Sequence, residues 1–145
     1  MDPQKMISAL AVPRMTERFL GITIPEQGLM YACSYDGLHT ITLSSESVAV
    51  ETDEAGIEDY KLLESKGTAL GVMGGVPIHK SERASVSYIF EPSASEQLVN
   101  LTHAGAEYEL EFPTLSGDWF FATLSRCGGF LVLAEPYDLQ IYALS

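Results

Sequence analysis

Phe130-Leu131-Val132-Leu133-Ala134 is apolar at every position, and Trp119-Phe120-Phe121 sets three aromatic side chains in a row shortly before it. A strand with one buried face alternates apolar and polar residues, because successive side chains point to opposite sides. These stretches do not alternate, so both faces of the sheet they form are hydrophobic near its centre. The pattern predicts a meander of three strands at 119–124, 130–134 and 139–144, with turns at 126–129 and 135–138. One face belongs to the core. The second needs its own cover: helices, more sheet, a ligand cavity or a second subunit.

Outward from the meander, the clearest local signal is Asp36-Gly37. It joins two β-prone runs at 29–35 and 38–43, and its tolerance of positive φ suits a two-residue type I′ turn. That turn would set Tyr35 against Leu38, Ser34 against His39, Ala32 against Ile41 and Met30 against Leu43. Further strands are expected at 19–24, 47–51, 68–73, 85–90 and 106–112. The last alternates closely, with Glu107, Glu109 and Glu111 on one side and Tyr108, Leu110 and Phe112 on the other.

Three segments read as helices. Asp2-Pro3 followed by Met6, Ile7 and Leu10 gives a short first helix stopped by Pro13. Thr52 caps a second at about 53–66, with Asp53 and Glu54 in its first turn, Ile57, Tyr60 and Leu63 at helical spacing, and Lys66-Gly67 at its end. Ser93 and Glu96 stand at capping-box spacing before Ala94, Leu98 and Leu101, and Gly105 closes the third. The expected fold is therefore α+β, an antiparallel sheet of several hairpins carrying two or three short helices, in one globular domain over residues 1–145. An all-β sandwich or barrel is the alternative if the helices at 52–67 and 93–105 fail.

Charge is the strongest functional signal. The chain carries a net charge of −12 over 145 residues. Residues 46–64 hold seven carboxylates against one base, Lys61, and residues 84–125 hold six carboxylates and no Lys or Arg. Direct contact with nucleic-acid phosphates or anionic lipid is disfavoured, because both rely on Lys and Arg. No run approaches a membrane span, and the first eleven residues lack the basic flank and apolar core of an export signal. A cytoplasmic location is expected, with Cys33 and Cys127 as ordinary thiols. The sharper reading of Cys127 is a reactive thiol in a hairpin loop, activated by Arg126.

Motifs for chemistry are weak. Ser34, Asp36 and His39 sit close together, but Asp36 belongs to the turn and a flat hairpin has no oxyanion hole, so a cross-strand polar pair is the better reading. His39, His79 and His103 lie in separate elements without ligand spacing, and residues 51–59 lack the oxygen pattern of a calcium loop. The glycines at 71–75 lack the Lys-Ser/Thr ending of a phosphate loop. No cofactor or metal is expected.

The favoured function is a small, non-enzymatic, inhibitor-, immunity- or chaperone-like module that docks a basic protein. Its contacts are expected at Glu107, Glu109, Glu111, Asp53, Glu54 and Glu58. The first alternative is an enzyme or ligand-binding protein with a pocket on the second apolar face of the meander, near Tyr142, Trp119 or Cys127. The other is a homo-oligomer that pairs through that face.

Overall fold

The computed structural model describes residues 7–13, 18–35, 37–54 and 60–144. Its strands are β1 (Ile7–Leu10), β2 (Phe19–Thr23), β3 (Leu29–Ser34), β4 (Gly37–Leu43), β5 (Val48–Asp53), β6 (Ala69–Gly71), β7 (Ala84–Tyr88), β8 (Glu96–His103), β9 (Ala106–Pro113), β10 (Phe121–Leu124), β11 (Phe130–Glu135) and β12 (Asp138–Leu144). Between β5 and β6 lies the one helix among the described residues, α1 (Tyr60–Lys66). The strands form three antiparallel sheets in the orders β1-β12-β11-β10, β5-β4-β3-β2-β6 and β7-β8-β9. None closes into a barrel.

The meander is the middle layer of a mostly-β sandwich. From one face Val132, Ala134, Leu139 and Ile141 pack with Ile22, Met30, Ile41 and Leu70 of the five-stranded sheet. From the other, Ala122, Leu124, Leu131 and Leu133 pack with Val86, Val99, Leu101 and Phe112 of the three-stranded sheet. The aromatic triplet divides the same way, with Trp119 in the first core and Phe120 in the second. The Phe120 ring lies 5.2 Å from both Tyr88, set edge-on to it, and Phe112, tilted to it. The cover that the continuous apolar run demanded is thus more sheet from the same chain.

The α+β expectation is overturned: the proposed first and third helices give strands, and of the second only Tyr60–Lys66 is helical among the described residues. Ile7–Leu10 of the proposed first helix is an edge strand, Ile7 opposite Leu144 and Leu10 opposite Ile141; the rest of that segment before Ile7 lies outside the described residues. Thr52 and Asp53 end β5 opposite His39 and Leu38 instead of opening a helix, and the described helix is only Tyr60–Lys66. It covers the outer side of the five-stranded sheet, where Leu63 packs with Cys33 and Leu38. The third helix, 93–105, is replaced by β8. Gln97, Val99, Leu101 and His103 point inward there, while Glu96, Leu98, Asn100 and Thr102 point out. The positive φ of Ala104 (50°) and Gly105 (82°) makes the tight β8–β9 turn, with His103 opposite Ala106.

The Asp36-Gly37 hairpin forms with its register moved by two residues. Ser34 faces Gly37, Ala32 faces His39 and Met30 faces Ile41, so Gly37 is already in the strand. Asp36 itself lies outside the described residues. A two-residue shift preserves which side chains share a face.

One buried carboxyl braces the layers. Glu135 is fully buried at the β11–β12 turn, where Oε1 accepts the backbone N–H groups of Leu115 (2.8 Å) and Ser116 (3.1 Å) and Oε2 accepts that of Tyr137. Glu135→Gln replaces an acceptor oxygen by a donor that faces these same N–H groups. It is expected to lower stability by about 1–3 kcal/mol, read as a lower urea midpoint at unchanged slope.

Candidate functional site

The outward face of the three-stranded sheet carries the acidic row. Alternation along β9 exposes Glu107, Glu109 and Glu111 while Tyr108, Leu110 and Phe112 turn to the core. Across the sheet, Glu107 lies beside Thr102 and then Ser85, Glu109 beside Asn100 and then Ser87, and Glu111 beside Leu98. The face is therefore one column of carboxylates backed by hydroxyls and an amide, with exposed Ile89 and Leu98 at one end. Two shallow hollows mark it: one of about 460 Å³ bordered by Asn100, Thr102, Glu107 and Glu109, the other of about 490 Å³ bordered by Ile89, Glu91, Glu96 and Leu98.

Among the described residues no cation forms an ion pair with the row. The ion pairs found among the described residues are Arg18 with Asp118 and Arg126 with Glu26, both away from β9. Strand geometry spaces the three carboxylates about 7 Å apart. Their fields add within a Debye length of about 8 Å, so the face favours cations more than any one glutamate does. β9 is also an edge strand, paired only with β8, and like charges there discourage edge-to-edge association with another copy.

The other expected contact residues do not join this face. Asp53 ends β5 and Glu54 follows it, at the edge of the five-stranded sheet. Glu58 lies outside the described residues.

Ser34 and His39 do pair, with Ser34 Oγ 2.7 Å from His39 Nε2, and Thr52 Oγ1 lies 2.8 Å from Nδ1 on the opposite side of the ring. Each ring nitrogen thus meets a hydroxyl that either donates or accepts. Ser34 is fully buried and His39 nearly so, with Phe19 set edge-on to the imidazole at 6.2 Å. The arrangement ties β3, β4 and β5 together, with Ser34 and the imidazole buried and Thr52 at the exposed edge strand. His79 contacts Tyr88, their rings 5.2 Å apart, and His103 ends β8. Among the described residues no three His, Cys, Asp or Glu side chains gather as metal ligands.

A second feature escaped the sequence. A cleft of about 640 Å³ opens where the turn at 80–83 meets the loop at 126–129, lined by Lys80, Glu82, Arg83, His103 and Cys127. The two segments touch closely: a Cβ added to Gly128 would lie 2.9 Å from Ser81 Oγ. The exposed Cys127 thiol is shifted below its ordinary pKa, first by the hydroxyl of Ser125 at 3.4 Å and then by the backbone N–H of Gly129, against a small opposing effect of burial. Arg126, the expected activator, also lines the cleft, but its guanidinium hydrogen-bonds Thr68 Oγ1 (2.7 Å) and forms an ion pair with Glu26 (3.6 Å). Cys33 sits in a separate cluster under α1. The named cleft residues come from three distant parts of the chain, at 80–83, 103 and 126–127, and no local spacing signals their meeting.

No family model, curated protein or solved structure matches this chain. No helix among the described residues is long and apolar enough to cross a membrane.

Proposed function

We propose that the chain is a non-enzymatic binding module that docks a basic protein on the outward face of β7, β8 and β9. The observation that carries this reading is the column Glu107, Glu109 and Glu111, exposed on one face and joined to no cation by an ion pair among the described residues. Three aligned charges attract a cationic surface at range and select its orientation, while Leu98 and Ile89 add apolar contact at one end. Asp53 and Glu54 form a separate acidic edge on another sheet and are left out of the docking face.

The test is association of a lysine-rich peptide measured by surface plasmon resonance. Glu107→Gln, Glu109→Gln and Glu111→Gln together keep side-chain size and are expected to leave the fold intact, or slightly stabilised by lost repulsion. Association should slow by about tenfold at low salt with little change in dissociation, and raised salt should do the same to the parent. Glu46→Gln, Glu51→Gln and Glu64→Gln remove the same charge elsewhere and should matter far less. Equal losses from the two triple variants would assign the attraction to net charge alone and overturn the docking face.

A further inference from the structure

We propose that the cleft between the turn at 80–83 and the loop at 126–129 binds a small anionic disulfide, and that Cys127 exchanges with it to form a reversible mixed disulfide. The site stands on a cavity, on two cations outside any ion pair among the described residues, Lys80 and Arg83, and on a thiol brought together from different parts of the fold. Its volume of about 640 Å³ falls within the range of small-molecule sites. Lys80 and Arg83 are exposed on its wall, and neither forms an ion pair among the described residues. Glu82 is the only acid among the described lining residues, so their balance is cationic on a chain of net charge −12. Local sign governs here because charges beyond about 8 Å are screened at physiological salt.

The thiol is set for reaction by its neighbours. Ser125 is buried, and its Oγ accepts the N–H of Phe130 at 3.1 Å, which leaves the hydroxyl hydrogen for Cys127 Sγ at 3.4 Å. The Ser125 and Phe130 backbones are further joined by a 2.9 Å hydrogen bond, so the hydroxyl is held in place. Donors aimed at sulfur favour the thiolate, the form that attacks disulfides. In the exchange the Cys127 thiolate attacks one sulfur of the disulfide. A new S–S bond forms as the old one breaks, and the second sulfur leaves as a thiolate, stabilised beside Lys80 and Arg83. The disulfide is the only oxidant required. Cys33, buried under α1, has no part in it.

Three probes of similar reactivity and different charge test this without altering the protein: oxidised glutathione (anionic), hydroxyethyl disulfide (neutral) and cystamine (cationic). Intact-mass kinetics should show one adduct per chain, lost in Cys127→Ser. Oxidised glutathione should react several-fold faster than cystamine, with the preference fading as salt is raised. Lys80→Gln with Arg83→Gln should remove the preference, slowing oxidised glutathione several-fold more than the neutral probe. The rate with the neutral probe should also inflect at lower pH than that of free cysteine. Faster reaction of cystamine, as the net charge alone would dictate, or an inflection at or above that of free cysteine, would overturn the proposal.

Discussion

Leu133→Ala and Ile141→Ala are each expected to lower the unfolding free energy by about 2–5 kcal/mol, although their side chains leave opposite faces of one sheet. Leu133 is fully buried against the three-stranded sheet and Ile141 almost fully against the five-stranded sheet. In a two-layer protein one face of the meander would meet water, and truncation there would cost little. Leu115→Ala is the control: that side chain is 76 % exposed and the change should stay within about 0.5 kcal/mol. Urea midpoints of the three variants, compared at equal slope, read the difference.

Gly37→Val should be comparably severe, about 2–4 kcal/mol by the same measurement. Gly37 has φ of 144°, a conformation that a β-branched residue resists. A Cβ there would also lie 2.4 Å from the carbonyl oxygen of Asp53, on the neighbouring strand β5. Relief requires β4 and β5 to part, which would strain the hydrogen bond between His39 and Thr52 two residues further along. Gly37→Ala should be nearly as harmful, because the clash begins at Cβ. Midpoints equal to the parent for both variants would contradict the register of this hairpin.

The middle layer was legible because its signal is local and chemically uniform. An apolar run without alternation has no one-sided solution, and residues 119–144 carry that pattern openly. The cover was not legible, because β8 reads equally well at two periods. Ala94, Leu98 and Leu101 lie at helical spacing behind a capping-box pair, and the period-2 set Gln97, Val99, Leu101 and His103 contains two polar residues that disguise it. Gln97 tolerates burial because its amide mimics a strand neighbour, accepting the N–H of Glu91 and donating to its carbonyl, each at 2.9 Å. Similarly, Ile7 and Leu10 fit a helical turn or the ends of a short strand, and pairing with β12 decides between them.

The alternation of β9 is legible in the sequence, since period 2 along 106–112 places three glutamates on one side whatever the sheet packs against. That Asp53 and Glu54 lie on another sheet is not legible, because it depends on which sheet each strand joins. The offset of two residues in the 29–43 hairpin has a comparable origin. Gly37 suits a turn, but its close approach to Asp53 is set by β5, a strand that the dipeptide itself does not reveal.

Backbone amide shifts recorded by NMR during titration with a lysine-rich peptide test most directly whether the β7–β9 face is the docking surface. The expected result is a contiguous set of perturbed amides in 85–89, 98–102 and 106–111, moving together and reverting as salt is raised. Perturbations centred on 46–64, or spread evenly over the acidic residues of the chain, would contradict it.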